Sequence, residues 1–214
     1  VPNQPLTLAL PKGRILEEAL EILAPIGFGL ADPDIGRKLV VPSQHPDLRY
    51  IVVRATDVPT YVAFGAADMG IVGLDTLIES GADLLEPLDL GIGKCHMAVA
   101  TPAAIPFDVD ATFVKVATKY PRITRAHYEG RGVQAEIIKL YGSMELAPLV
   151  GLADHIVDLV STGATMRENG LKEVERIMAI SSRLVVNRAA MRLKTNRIEP
   201  IIQALRAQIA RRAA

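Results

Sequence analysis

Short apolar runs alternate with amphipathic helical patterns along almost the whole chain, and this alternation restricts the fold more than any other feature. LTLAL (6–10) reads as a buried strand, and ILEEALEILAPIG (15–27) as a helix with Ile15, Ala19, Ile22 and Leu23 on one face. RYIVVRA (49–55) is strand-like. Asp57 then caps a helix that carries Pro59 in its first turn and Gly65 near its end. ADMGIVG (67–73) returns as a strand, and LDTLIESG (74–81) as a short helix closed by Gly81. A second cycle starts near residue 93. It runs through CHMAVA (95–100), FVKVAT (113–118), a helix after Pro121, AEIIKL (135–140), SMELAPLVG (143–151) and HIVDLV (155–160), followed by a helix through 171–179. RLVVN (183–187) is a further strand. RIEPIIQALRAQIARR (197–212) is a terminal helix with Pro200 in its first turn and Ile198, Ile201, Ile202, Leu205 and Ile209 as its apolar stripe. A β-α-β-α rhythm of this kind predicts an α/β fold with a largely parallel sheet.

The 214 residues allow one large domain or two compact ones. No Gly/Ser linker separates two halves, so two lobes would be joined by crossing strands, with the best crossovers near 91–95 and 179–183. The expected division is residues 1–92 plus 180–214 as one lobe and 93–179 as the other, with a ligand cleft between them. The 24 basic residues are balanced by 24 acidic ones, which argues against a general nucleic-acid binder. One cysteine excludes an internal disulfide and a multi-cysteine zinc site. No apolar run approaches the roughly 20 residues of a membrane span, and the start VPNQPLTLALPKGR lacks the basic region of a secretory signal. The expected location is the cytoplasm, with no membrane partner.

The most informative segment is HIVDLVSTGATMRENG (155–170). A hydrophobic strand bearing Asp158 runs into a turn of small residues, Ser161, Thr162, Gly163, Ala164 and Thr165, before a helical pattern begins. Small residues let backbone N–H groups converge on an anion, and a helix N-terminus adds partial positive charge. The hydroxyls of Ser161, Thr162 and Thr165 add donors, and a monophosphate is the natural occupant. Asp158 is placed to accept hydrogen bonds from sugar hydroxyls beside it. The alternative is an ordinary strand-loop-helix turn with Thr165 as its cap.

PKGR (11–14) follows the first strand, where open α/β sheets place ligands, so Lys12 and Arg14 are positioned for polyphosphate. GAADMGIVGLD (65–75) is glycine-rich but fails the dinucleotide fingerprint. GIGKCH (91–96) fails as a P-loop, with Cys95 where Ser or Thr belongs, so Cys95 is expected as a buried apolar residue at the crossover. His45, His96, His127 and His155 show no zinc-ligand spacing, and surface or satisfied core roles are expected for them.

ELAPLVGLADHIVDLVSTGATM (145–166) resembles the signature segment of the ATP phosphoribosyltransferase family, the first enzyme of histidine biosynthesis. LALPKGRILEEAL, RATDVPTYVAFGAADMGIVGLD, KLYGSMELAP and SSRLVVN extend the likeness over most of the chain. The resemblance implies two α/β lobes of the periplasmic-binding-protein type II kind flanking an active cleft. It implies that the 161–165 loop and Asp158 hold phosphoribosyl diphosphate. Glu145 either shares ribose or magnesium duties with Asp158 or is a helix N-terminal charge. Arg14 and Arg37 would contact ATP or the departing pyrophosphate as the catalytic pair. Gly73 and Asp75 would lie near the nucleotide. Arg54 is a further ATP-side candidate whose alternative is a pair with Asp57. Magnesium would ride on substrate phosphates, with no all-protein site.

The rival expectation is a non-catalytic small-ligand receptor of the same fold, but secreted receptors need a signal and transcription-factor versions an attached DNA-binding segment. Family members come in two sizes, the longer carrying a C-terminal histidine-sensing domain. A chain that stops at Ala214 resembles the short form, a catalytic subunit that dimerises and joins a histidyl-tRNA-synthetase-like regulatory subunit in a hetero-oligomer, by resemblance a hetero-octamer.

Overall fold

The computed structural model describes residues 4–213 apart from 33, 35 and 37. The chain divides into two compact units, one running through Gly93 and resuming at Ser181, the other spanning Lys94–Ile180.

In the first unit β1 (Leu6–Pro11) leads into α1 (Arg14–Leu23), then come β2 (Val40–Pro42), β3 (Leu48–Val53), α2 (Val58–Ala63), β4 (Met69–Gly73), α3 (Leu74–Ser80) and β5 (Leu85–Asp89). After the second unit the chain returns through β11 (Ser182–Val186), α7 (Arg188–Leu193) and α8 (Thr195–Ala213). The sheet order is β2-β3-β1-β4-β11-β5. β1 pairs in parallel with β3 and β4 and is buried along its whole length, as a central strand covered on both faces must be. Its alternation divides the core: Leu6, Leu8 and Leu10 pack with Ile22 and Leu23 of α1 and with Ile198, Ile201 and Leu205 of α8, whereas Ala9 joins Val58 and Val62 of α2. α2 sits close because β4 offers Gly70, where a Cβ would come within 2.8 Å of the Val58 and Val62 methyl groups.

Two buried polar groups bind this core to its periphery. The Tyr50 hydroxyl donates to the Phe28 carbonyl, and burial pushes its phenol up to about 12. The Asp68 carboxylate accepts the Thr7 N–H at 2.8 Å and pairs with the Lys194 ammonium at 2.6 Å.

The second unit contains β6 (Cys95–Pro102), β7 (Phe113–Thr118), α4 (Pro121–Gly130), β8 (Gln134–Lys139), α5 (Leu146–Leu149), β9 (His155–Val160), α6 (Ala164–Glu168) and β10 (Leu171–Ile180). Its sheet order is β10-β6-β9-β7-β8. Under α5 and α6 the core is rich in alanine, with Ala98, Ala100, Ala117, Ala147 and Ala153 set among Met144, Ile156 and Met166. Small side chains at these positions let the short helices approach the sheet closely.

Four sequence expectations are corrected. The segment 171–179 is strand β10 and not a helix. Its pairing with β6 shifts register between Glu173 and Glu175 and again between Arg176 and Met178. Each bulge inserts an extra residue, so the apolar positions drift from a period of two toward helical spacing. The sheets are mixed rather than largely parallel: β2 runs antiparallel to β3, β11 to both β4 and β5, and β6 to β9 and β10. α8 starts at Thr195, which places Pro200 inside the helix. Pro200 has no N–H, so the backbone bond that would run to the Asn196 carbonyl is missing from the helix. Cys95 opens β6 opposite Ile180 and is half-buried, not enclosed.

Candidate active site

In an open α/β sheet the turns that follow parallel strands face one edge, and both units place their candidate residues there. In the first unit β3, β1 and β4 lie side by side and parallel. The turn after β1 holds Lys12 and Arg14, both exposed, and is tied to the neighbouring strand by the Lys12 N–H donating to Val53 at 2.9 Å. Gly13 reaches φ +90 there as it caps α1. Arg14 pairs with Glu18 at 3.3 Å, the Arg14 side chain being 59% exposed. A contact so solvated is worth at most about 1 kcal/mol. Glu18 in turn accepts the Gly93 N–H at 2.6 Å. Arg54 follows β3 and is exposed, and its carbonyl accepts the Asp57 N–H. No Arg54–Asp57 ion pair forms among the described residues. Asp57 stands at the cap of α2 without a side-chain bond to it. Gly73 ends β4, and a Cβ there would overlap the Asp75 carboxylate, which is folded back and buried in the first turn of α3. Arg37 lies outside the described residues.

In the second unit β9 is parallel to β7 and delivers Val160 into the 161–163 turn. The expected cap Thr165 is replaced by Gly163, at φ +70 and ψ 9, which starts α6 one residue before Ala164. An L side chain at that backbone conformation is strained, which is why glycine stands there. The Thr162 hydroxyl oxygen accepts the Ala164 N–H at 3.3 Å, leaving its proton to donate outward. Ser161, Thr162, Gly163, Ala164 and Thr165 together with Glu145 line a hollow of about 190 Å³. Glu145 stands at the N-terminus of α5 and lines that hollow. Asp158 is half-buried on β9, its carboxylate accepting the Leu159 N–H at 2.8 Å, and it is not among the residues lining the hollow.

Ser161, Thr162 and Gly163 also wall a second hollow of about 280 Å³, bounded by His96, Arg167, Lys172 and Glu173. None of these four was singled out for a site from the sequence. The available signal was spacing: Arg167 lies four residues after Gly163, one helical turn, and so returns to the same face. His96 meets Glu173 at 2.8 Å. His155, by contrast, is a satisfied core histidine: its Nδ1 lies 2.9 Å from the Tyr128 hydroxyl. Burial lowers its pKa, opposed by Asp154 and reinforced by Arg131.

A cationic edge on one α/β unit and a small, hydroxyl-bearing turn on another, carried on two mixed sheets, define a class: a two-unit α/β protein of the periplasmic-binding type II kind. The fold is shared with the periplasmic aliphatic sulphonate binding protein SsuA from Escherichia coli, at a TM-score of 0.61 over 97% of this chain and 73% of that one, with 14% identity.

The closer likenesses are specific. Residues 54–207 match the family model HisG: ATP phosphoribosyltransferase. ATP phosphoribosyltransferase of Acidithiobacillus ferrooxidans is 63% identical over 210 residues, covering 95% of this chain and 97% of that one. The Chromobacterium violaceum enzyme of that name is 57% identical over 206 residues, covering 93% and 96%. A structure described as the ATP phosphoribosyl transferase (HisG:HisZ) complex from Thermotoga maritima superposes at a TM-score of 0.83 with 33% identity, covering 96% of this chain and 99% of that chain. The chain belongs to the ATP phosphoribosyltransferase family. It is a pentosyl-transferring glycosyltransferase, the first enzyme of histidine biosynthesis.

Proposed function

We propose that the 161–165 turn holds the 5-phosphate of phosphoribosyl diphosphate and that the β1 and β3 turns serve ATP and the leaving pyrophosphate. The observation that carries this reading is the hollow walled by Ser161 to Thr165 and Glu145, in which neutral donors surround the left-handed Gly163. In the reaction, adenine N1 supplies the electron pair for the new bond to the anomeric carbon, and the old carbon–oxygen pair leaves with pyrophosphate. That nitrogen already has a free lone pair, so no general base is required. Catalysis rests on positioning and on meeting charge as it develops.

Arg14 and Arg37 take the catalytic role by neutralising the departing pyrophosphate, for which a planar, permanently charged fork is suited. Lys12 and Arg54 assist on the ATP side, where Gly73 gives the backbone close access beside Asp75. Asp158 and Glu145 serve the ribose. Among the described residues no group of three or more His, Cys, Asp or Glu gathers as a metal cage. Magnesium is assigned to the substrate phosphates because it usually binds phosphates and water with few carboxylates, with Glu145 as the carboxylate beside them. The proposed site of action is the cytoplasm. A HisZ-like regulatory chain is the proposed partner, supported by the Thermotoga complex, in a hetero-oligomer containing a dimer of this chain.

The direct test mixes ATP, phosphoribosyl diphosphate and magnesium, with and without a HisZ-type chain, and detects N1-phosphoribosyl-ATP by mass spectrometry. Product is expected, and its absence in both arms would return a ligand-receptor role to consideration. Calorimetry with each substrate separately makes the same distinction, because a receptor should bind neither.

A further inference from the structure

We infer that Arg167 is a binding residue for the 5-phosphate of phosphoribosyl diphosphate, reaching the 161–163 turn from the hollow behind it. This inference rests on the loop assignment above and adds to it a charged group from outside the turn.

The geometry begins with Gly163. The Arg167 N–H donates to the Gly163 carbonyl at 3.1 Å, so the two residues are stacked one helical turn apart. The Arg167 side chain then folds back over the turn, because a Cβ built on Gly163 would lie 2.9 Å from the Arg167 Nη1 atom. Glycine at 163 thus meets two demands, the left-handed backbone and the space occupied by the guanidinium.

The charge around the hollow is unevenly distributed. Glu173 is engaged by His96 at 2.8 Å and by Arg176 at 3.7 Å. The Lys172 ammonium donates to the Ala103 carbonyl at 3.1 Å. Arg167 enters no ion pair among the described residues, although it is exposed and lines the hollow. An unpaired guanidinium held against a turn of backbone and hydroxyl donors matches a phosphate dianion, since its fork donates two bonds to one phosphate and keeps its charge at every working pH. The turn alone provides neutral donors and a helix of five residues. Arg167 provides the formal positive charge that the turn lacks.

The test measures binding by calorimetry to the full chain, using phosphoribosyl diphosphate, ribose 5-phosphate and pyrophosphate as separate probes. For Arg167→Ala the expected result is a loss of about tenfold or more for phosphoribosyl diphosphate and for ribose 5-phosphate, with pyrophosphate binding unchanged. Arg167→Lys should recover part of that loss by keeping the charge without the fork. The salt dependence of ribose 5-phosphate binding should be flatter in Arg167→Ala, a change that loss of packing would not produce. Ribose 5-phosphate affinity within twofold of the unmodified chain overturns the inference, as does a loss confined to pyrophosphate. If the unmodified chain binds neither ribose 5-phosphate nor phosphoribosyl diphosphate, the loop assignment itself fails and Arg167 falls with it.

Discussion

On the proposed reading, the two units would hold phosphate in different ways. The first offers long cationic side chains, Lys12, Arg14 and Arg54, on turns above a core of large residues such as Leu8, Ile22, Tyr50 and Ile198. The second offers backbone and hydroxyl groups on a short turn above a core of alanines. A flexible cation can follow a group that moves as a bond breaks, whereas a fixed turn keeps one phosphate in one place. The difference fits a reaction in which the 5-phosphate stays attached throughout and the pyrophosphate departs.

The largest expected effect falls on the fixed turn. Gly163→Val forces a β-branched residue into φ +70 and into the Arg167 guanidinium, and phosphoribosyl diphosphate affinity should fall about 100-fold. Unaltered affinity by calorimetry would erase the contrast between the units. On the cationic side, Arg14→Ala and Arg37→Ala should each lower kcat about 100-fold while barely changing phosphoribosyl diphosphate affinity. An arginine whose removal leaves kcat intact has no part in neutralising the leaving group.

Smaller effects separate stability from binding. Asp68→Ala removes a buried carboxylate that serves the Thr7 N–H and Lys194. It should cost about 2 kcal/mol in urea denaturation, with phosphoribosyl diphosphate affinity unchanged if the second unit holds that ligand alone. Thr162→Ala should weaken the same ligand about fivefold, the worth of one hydrogen bond.

Acid should weaken the second unit through His155, whose folded pKa lies below its ordinary value of 6.5 because it is buried. The unfolded chain binds the proton more readily than the folded one. The contribution is therefore complete above pH 6.5 and is lost as pH falls through the lowered value. Urea midpoints at pH 7.5 and 5.5 should draw closer together in His155→Gln, and an identical gap would exclude His155 as the acid-sensitive group.

What could be read from sequence follows the same division. β1 was legible because a strand buried on both faces is a continuous apolar run, and Gly81 was legible as a left-handed helix end, at φ +62. The 161–165 turn stood out because its residues are consecutive. β10 was misread because two bulges disguise its period. β2 and β5 escaped notice, being short strands at the sheet margins and partly exposed. Arg167 was missed for a different reason: its relevance depends on how an exposed side chain folds back, and only the helical repeat from Gly163 hints at that.

The bulges in β10 also bear on how the protein behaves at high concentration. β10 forms one margin of its sheet, and an unpaired strand margin invites the margin of another molecule to add to it. Two register breaks within ten residues, with Lys172, Glu173, Glu175 and Arg176 along the strand, leave no long, flat row of backbone donors and acceptors for a stranger to match. Deleting both Val174 and Ile177, the two residues left out of the pairing, would restore a regular ladder and remove a safeguard against self-association, so the irregularity that hid this strand from pattern reading also guards its open margin.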